Sequence, residues 1–149
     1  MSSLTPSSLT LAVARKILDA AFAKAEYLEL KPLAVAVLDA GGQLVACMRQ
    51  DQPALLRTDI AIGKAYGALA VGQGSRWLGR TAGERPHFVS ALSDISGGRI
   101  VPVPGGVLVK TAEGAIIGAV GISGDTSDND ERCAVAAIEA TGLLADPGV

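Results

Sequence analysis

Residues 33–51, LAVAVLDAGGQLVACMRQD, decide the fold. Val35 and Val37 alternate with Ala34 and Ala36, and Leu44, Ala46 and Met48 alternate with Val45 and Cys47. That period of two is the pattern of β-strands. Between them lies Asp39-Ala40-Gly41-Gly42, a turn in which the Asp side chain can accept from backbone two residues on and glycine takes positive φ without steric cost. The stretch therefore predicts a hairpin at the centre of the fold. Arg49 and Asp51 fall where its second strand runs out, as a surface salt bridge or as part of a site.

The flanking sequence supplies helices. Thr10 can cap a helix with the apolar stripe Leu11, Ala14, Leu18, Ala21, Ala25 and Leu28, stopped by Lys31-Pro32. A second helix is expected over about 54–71, rich in Ala and Gly. Gly63 and Gly67 each cost about 1 kcal/mol relative to Ala inside a helix, so a close packing contact is expected there. Residues 72–98 read as the least regular part, with a short helix from Pro86 to about Leu92. Ile100 to Val103 is expected as an edge strand broken by prolines. Val107–Lys110 and Ala115–Ile122 then form a second hairpin across residues 111–114. Asp128 with Glu131 makes a capping box for a last helix reaching Leu144 and ended by Pro147-Gly148. The order predicts an α+β fold, one mainly antiparallel five-stranded sheet flanked by helices, in a single domain over residues 1–149.

Composition narrows the function. The 149 residues are 49% hydrophobic and 19% charged, with a mean hydropathy of +0.37, so burial of apolar surface in a homo-oligomer is expected. A net charge of −2 provides no electrostatic footprint for nucleic acid, and the apolar runs are too short to span a membrane. The first ten residues lack a basic and an apolar leader region, which sets the expectation of a cytoplasmic protein. Cys47 and Cys133 have no framework spacing and read as buried thiols.

Motifs exclude several chemistries. Gly63-Lys64 lacks the glycine spacing and the hydroxyl residue of a phosphate loop, Gly72-Gln73-Gly74 fails as a dinucleotide fingerprint at Trp77, and Ser123 lacks a nucleophile elbow. A zinc site would need Cys47, Cys133 and the single histidine, His87, to converge, and no metal site is assigned. Asp125, Asp128 and Asp130 start like a calcium loop and then depart from it, so helix capping accounts for them better. Lys64 stands out in its helix of small residues, because an ammonium is expensive to bury alone there: it either snorkels to water or meets an anion, from a carboxylate side chain or from a ligand. Arg49 with Asp51 and Lys64 could hold a carboxylate, since guanidinium matches it bidentately.

Four blocks in order, AVAVLDAGGQLVACMRQD, IAIGKAYGAL, VPGGVLVK and GAIIGAVGISGDTSDND, resemble the GlcG/HbpS family, which also forms the C-terminal part of PduO-type proteins. The resemblance covers roughly residues 8–144 and implies a five-stranded antiparallel sheet flanked by helices, in homo-oligomers. It places Asp39, Arg49, Asp51, Lys64, Pro104, Gly105, Gly106, Gly124 and Asp130 on the family's motif positions; the usual Arg-Met-Asp is here Arg49-Gln50-Asp51. Some relatives bind haem. The resemblance thus implies a module binding haem or another tetrapyrrole-like anion, with Asp39, Arg49, Lys64, Pro104, Gly105 and Gly106 at the ligand. An axial donor would come from His87, a Tyr, a Met, a Cys or an oxygen group. The other reading is an isomerase, lyase or related enzyme on a carboxylic acid, in which Arg49 and Lys64 hold the carboxylate. Asp51 or His87, or a Lys64 of lowered pKa, would then move the proton.

Overall fold

The computed structural model describes residues 6–149. Thr10 caps the first helix, α1 (Leu11–Tyr27), its hydroxyl accepting from the Val13 amide at 3.2 Å. The buried stripe keeps Ala14, Leu18, Ala21 and Ala25 of the expected face and adds Val13 and Ile17, with Leu11 half exposed. Two strands follow, β1 (Ala34–Asp39) and β2 (Leu44–Arg49), antiparallel to each other. Asp39 Oδ1 accepts from the amides of Gly41 and Gln43 at 3.0 Å each and so builds the turn between them.

Next come α2 (Arg57–Val71), α3 (Ser75–Glu84) and α4 (Pro86–Ile95). The second hairpin is β3 (Gly106–Lys110) with β4 (Ile116–Ser123), and the chain closes with α5 (Ser127–Glu139) and β5 (Leu144–Asp146). The sheet order is β2-β1-β4-β3-β5 and every pairing is antiparallel. The architecture is α+β, with α1 and α5 on one face of the sheet and α2 on the other.

The first hairpin is not central: β1 is interior and β2 is an edge. The alternation in β1 separates large from small residues, because both faces are covered. Val35 and Val37 pack with α1 and α5, whereas Ala34 and Ala36 lie under Ala61 of α2.

Gly106 and Gly121 are cross-strand partners and form a flat patch on the α2 face. A Cβ at Gly121 would collide with the Ala61 carbonyl, and one at Gly106 with the Lys64 carbonyl. The helix backbone thus rests directly on the sheet. Gly63 and Gly67 meet their packing contact on another side of the helix, against Val101 and against Leu78 and Ile100.

Three elements differ from expectation. Residues 100–103 form no strand; Pro102 has no amide to donate, and the extended segment instead crosses α2 at its two glycines. The fifth strand comes from the C-terminus: α5 ends at Glu139, Gly142 at φ +85° reverses the chain, and Leu144–Asp146 pairs with β3, held by Lys110 Nζ at 2.8 Å from Asp146 Oδ2. Thr126, not Asp128, caps α5, accepting from the Asn129 amide at 3.2 Å. Helix α3 fills the stretch read as irregular. It is anchored by Ser75, whose hydroxyl donates to the Val103 carbonyl and accepts from the Gly106 amide, and by Leu78 in the core.

Candidate functional site

Lys64 lies on the sheet side of α2 and is 2% exposed. Its Nζ donates to Asp130 Oδ2 and to the Ile122 carbonyl, both at 3.0 Å, joining α2 to α5 and β4. Burial pulls the ammonium below the ordinary lysine range, the neighbouring Asp130 carboxylate opposes that shift, and Arg57 adds a smaller push downward. Asp130 Oδ1 accepts in turn from the Asp125 amide at 3.0 Å. Of the two partners open to Lys64, a carboxylate side chain or a ligand, the structure supplies the carboxylate. No buried side-chain polar atom among the described residues lacks a partner.

Gly105 belongs to this pair. It sits at φ +122°, and a Cβ there would stand 2.8 Å from Lys64 Nζ. Gly105 and Gly106 therefore lie against the lysine and the helix above it, while Pro104 lies beside Gly79 of α3.

The other sequence candidates are spread over the surface. Arg49 and Asp51 are exposed at the end of β2, with Arg49 Nη1 donating to the Gln50 carbonyl at 3.0 Å. Asp39 is occupied by its turn. His87 is exposed on α4, away from the sheet. Cys47 and Cys133 are free thiols on opposite faces of the sheet, and among the described residues no three His, Cys, Asp or Glu side chains gather as a metal site. Burial raises both thiols, Cys133 to about 11. Arg76 is paired: its Nε is 2.9 Å from Glu131 Oε1, and Asp128 also holds it.

A cleft of about 470 Å³ opens between the outer side of α2, the β1–β2 turn and residues 98–101. Leu38, Ile60, Ile62 and Val101 form its apolar wall. Three polar side chains reach it, Asp59, Tyr66 and Arg99. The Arg99 guanidinium lies 4.1 Å from the Tyr66 ring centroid, and its Nε donates to the Ser96 carbonyl at 2.7 Å. A cation stacked on an aromatic ring beside apolar walls suits a ligand with a flat apolar body and an acidic edge. The signal was in the sequence, since Asp59, Ile62, Gly63 and Tyr66 recur at helical spacing on one side of α2; Arg99 reaches them only through the fold.

A model of the family described as haem degrading protein HbpS-like matches residues 9–139. The chain belongs to this HbpS-like family. A 15.0 kDa protein from the dhaT-dhaS intergenic region of Citrobacter freundii is 31% identical over 133 residues, covering 89% of this chain and 92% of that one. A crystal structure of a PduOC:haem complex superposes with a TM-score of 0.81 at 26% identity, covering 91% of this chain and 96% of that one. A double mutant of Streptomyces reticuli HbpS gives 0.78 at 29% identity, covering 92% and 89%. The HbpS-like match spans all five helices and β1 to β4, and stops before β5.

Proposed function

We propose that this HbpS-like protein binds haem or a similar flat, anionic ligand in the cleft beside α2. The observation that carries the reading is Arg99 stacked on Tyr66 in a cleft with apolar walls. Membership of the family, and a related fold solved as a haem complex, support the same chemistry.

The lining residues fit such a group. Leu38, Ile62 and Val101 would exclude water from a porphyrin face, Arg99 would pair with a propionate, and the Tyr66 phenol would be the oxygen donor offered to iron. Haem, when bound, supplies the redox-active iron. His87, exposed on α4, lies outside this cleft. Arg49 and Lys64 also lie outside its lining, which separates this site from the carboxylate arrangement of the enzyme reading. The proposal includes self-association, because Leu55, Leu56 and Ile95 are 94%, 61% and 83% exposed. Light scattering that shows only monomer at micromolar concentration would remove that part.

Haem titration followed by visible absorption tests the site. A saturable Soret shift is expected, with affinity reduced about tenfold or more in Arg99→Ala, the scale of one charge-assisted hydrogen bond. Tyr66→Phe is expected to move the Soret position, while Lys64→Ala shows whether the buried pair matters to the ligand. Absence of a saturable shift with wild-type protein would overturn the reading.

A further inference from the structure

The cleft beside α2 carries opposite charges at its two ends. Asp59, Ile62, Gly63 and Tyr66 line it from one side of the helix, and Asp59 and Tyr66 are two turns apart, about 10 Å along the axis. The Tyr66 end holds the Arg99 guanidinium, 4.1 Å from the ring centroid. The other end holds the exposed Asp59 carboxylate, in the first turn of α2. Between them the lining is apolar, with Ile60, Ile62 and Val101, whose side chain fills the space left open by Gly63.

The two charges do not cancel each other. Among the described residues, neither Asp59 nor Arg99 makes an ion pair within 4.0 Å. Arg57, the cation nearest to Asp59 in sequence, is turned to the sheet, where its Nη1 donates to Ser123 Oγ at 3.2 Å, and it does not line the cleft. The field of Asp59 reaches β2: burial raises the Cys47 thiol, and the Asp59 carboxylate adds to that shift. The dipole of α2 favours an acid in its first turn, which accounts for an Asp at this position but not for its place in the wall of a cleft.

A ligand lying along this cleft therefore meets a cation at one end and an anion at the other. Its acidic groups are attracted at the Arg99 end and repelled at the Asp59 end. A flat ligand with its acids on one edge satisfies both by turning that edge to Arg99. A ligand with acids around its whole rim cannot, because a carboxylate then faces Asp59 in every orientation.

Building on the cleft as the site of a flat, anionic ligand, we infer that Asp59 determines its specificity, orienting ligands whose carboxylates lie on one edge and excluding those whose carboxylates surround the ring. Protoporphyrin, with its propionates on adjacent pyrroles, belongs to the first class. Coproporphyrin, with a propionate on every pyrrole, belongs to the second.

Iron protoporphyrin and iron coproporphyrin, titrated separately at low ionic strength and followed by visible absorption, test it. Wild type should bind the first more tightly. The charge part of that preference is read from variants, since any contribution of the vinyl groups is common to all of them. Asp59→Asn and Asp59→Ser should each lower the ratio of the two affinities about fivefold, through tighter binding of coproporphyrin. That is the scale of like charges meeting at about 4 Å in water-like surroundings. Asp19→Asn, on exposed α1 surface across the sheet, should leave the ratio unchanged. At about 1 M salt the wild-type ratio should approach that of Asp59→Asn. Equal ratios in wild type and both Asp59 variants, or an equal loss of affinity for both porphyrins, overturn the role of Asp59 while leaving the cleft as a ligand site. No saturable change with either porphyrin in wild type overturns the cleft as the haem site, and the role of Asp59 with it.

Discussion

Replacing Lys64 by Met removes a buried charge from a pair whose other member cannot leave. Nζ and Asp130 Oδ2 are 3.0 Å apart with side-chain exposures of 2% and 1%, and the ammonium has a second acceptor in the Ile122 carbonyl. Met fills similar volume, so the loss is mainly the stranded Asp130 carboxylate, of the order of 3–5 kcal/mol for a broken buried pair. A protein of this size has a total stability of about 5–15 kcal/mol, so the variant remains foldable but marginal. With a urea slope of about 1.5–2 kcal/mol/M, a loss of about 4 kcal/mol lowers the unfolding midpoint by about 2–3 M. Asp130→Asn in the same chain removes the stranded charge and keeps an oxygen for the Asp125 amide, so the double variant should recover at least about 1 kcal/mol relative to additivity. Urea denaturation of the four proteins in the cycle measures both numbers. A Lys64→Met cost below about 1 kcal/mol with unchanged slope, or strict additivity with Asp130→Asn, would refute the assignment of Lys64 to a structural pair and return it to the ligand.

Gly121→Ala places a methyl against the Ala61 carbonyl and should lift α2 from the sheet, at a cost of about 3 kcal/mol or more, read as a lowered urea midpoint. Thr10→Ala removes the α1 cap and should cost about 1 kcal/mol, a drop in Tm of about 2–4 °C. Cys133 is fully buried and its folded-state pKa rises from 9.0 to about 11, so the native state keeps the proton longer than the unfolded state. That contribution is complete below pH 9 and is lost as pH rises toward 11. The stability difference between wild type and Cys133→Ala should therefore shrink by about 2–3 kcal/mol across that window. Thiol titration at pH 7 should find Cys133 unreactive until the protein is unfolded, and an immediate two-thiol reaction in native protein would contradict its burial.

Much of the fold was legible because it is written in local chemistry. The Asp39-Ala40-Gly41-Gly42 turn, the Thr10 cap and the period-two runs of β1 and β2 are each dictated by residues a few positions apart. The four family blocks carry the same fold, because they hold those turns and the glycines on which α2 rests. What sequence could not settle was which apolar segment joins the sheet. Ile100–Val103 and Leu144–Asp146 are both short and apolar, and the choice fell to the free hydrogen-bonding edge of β3 and to the Lys110–Asp146 pair, which are contacts over long chain separation.

The same holds for the candidate sites. An ammonium on a helix of small residues must reach water or an anion, and sequence alone determined that Lys64 faces that choice. Only the tertiary structure decided that the anion is Asp130, 66 residues away, and that Arg99 comes to lie over the Tyr66 ring. Local pattern fixes what each side chain requires, whereas the partner that answers it is brought near by the packing of α2 and α5 on the sheet.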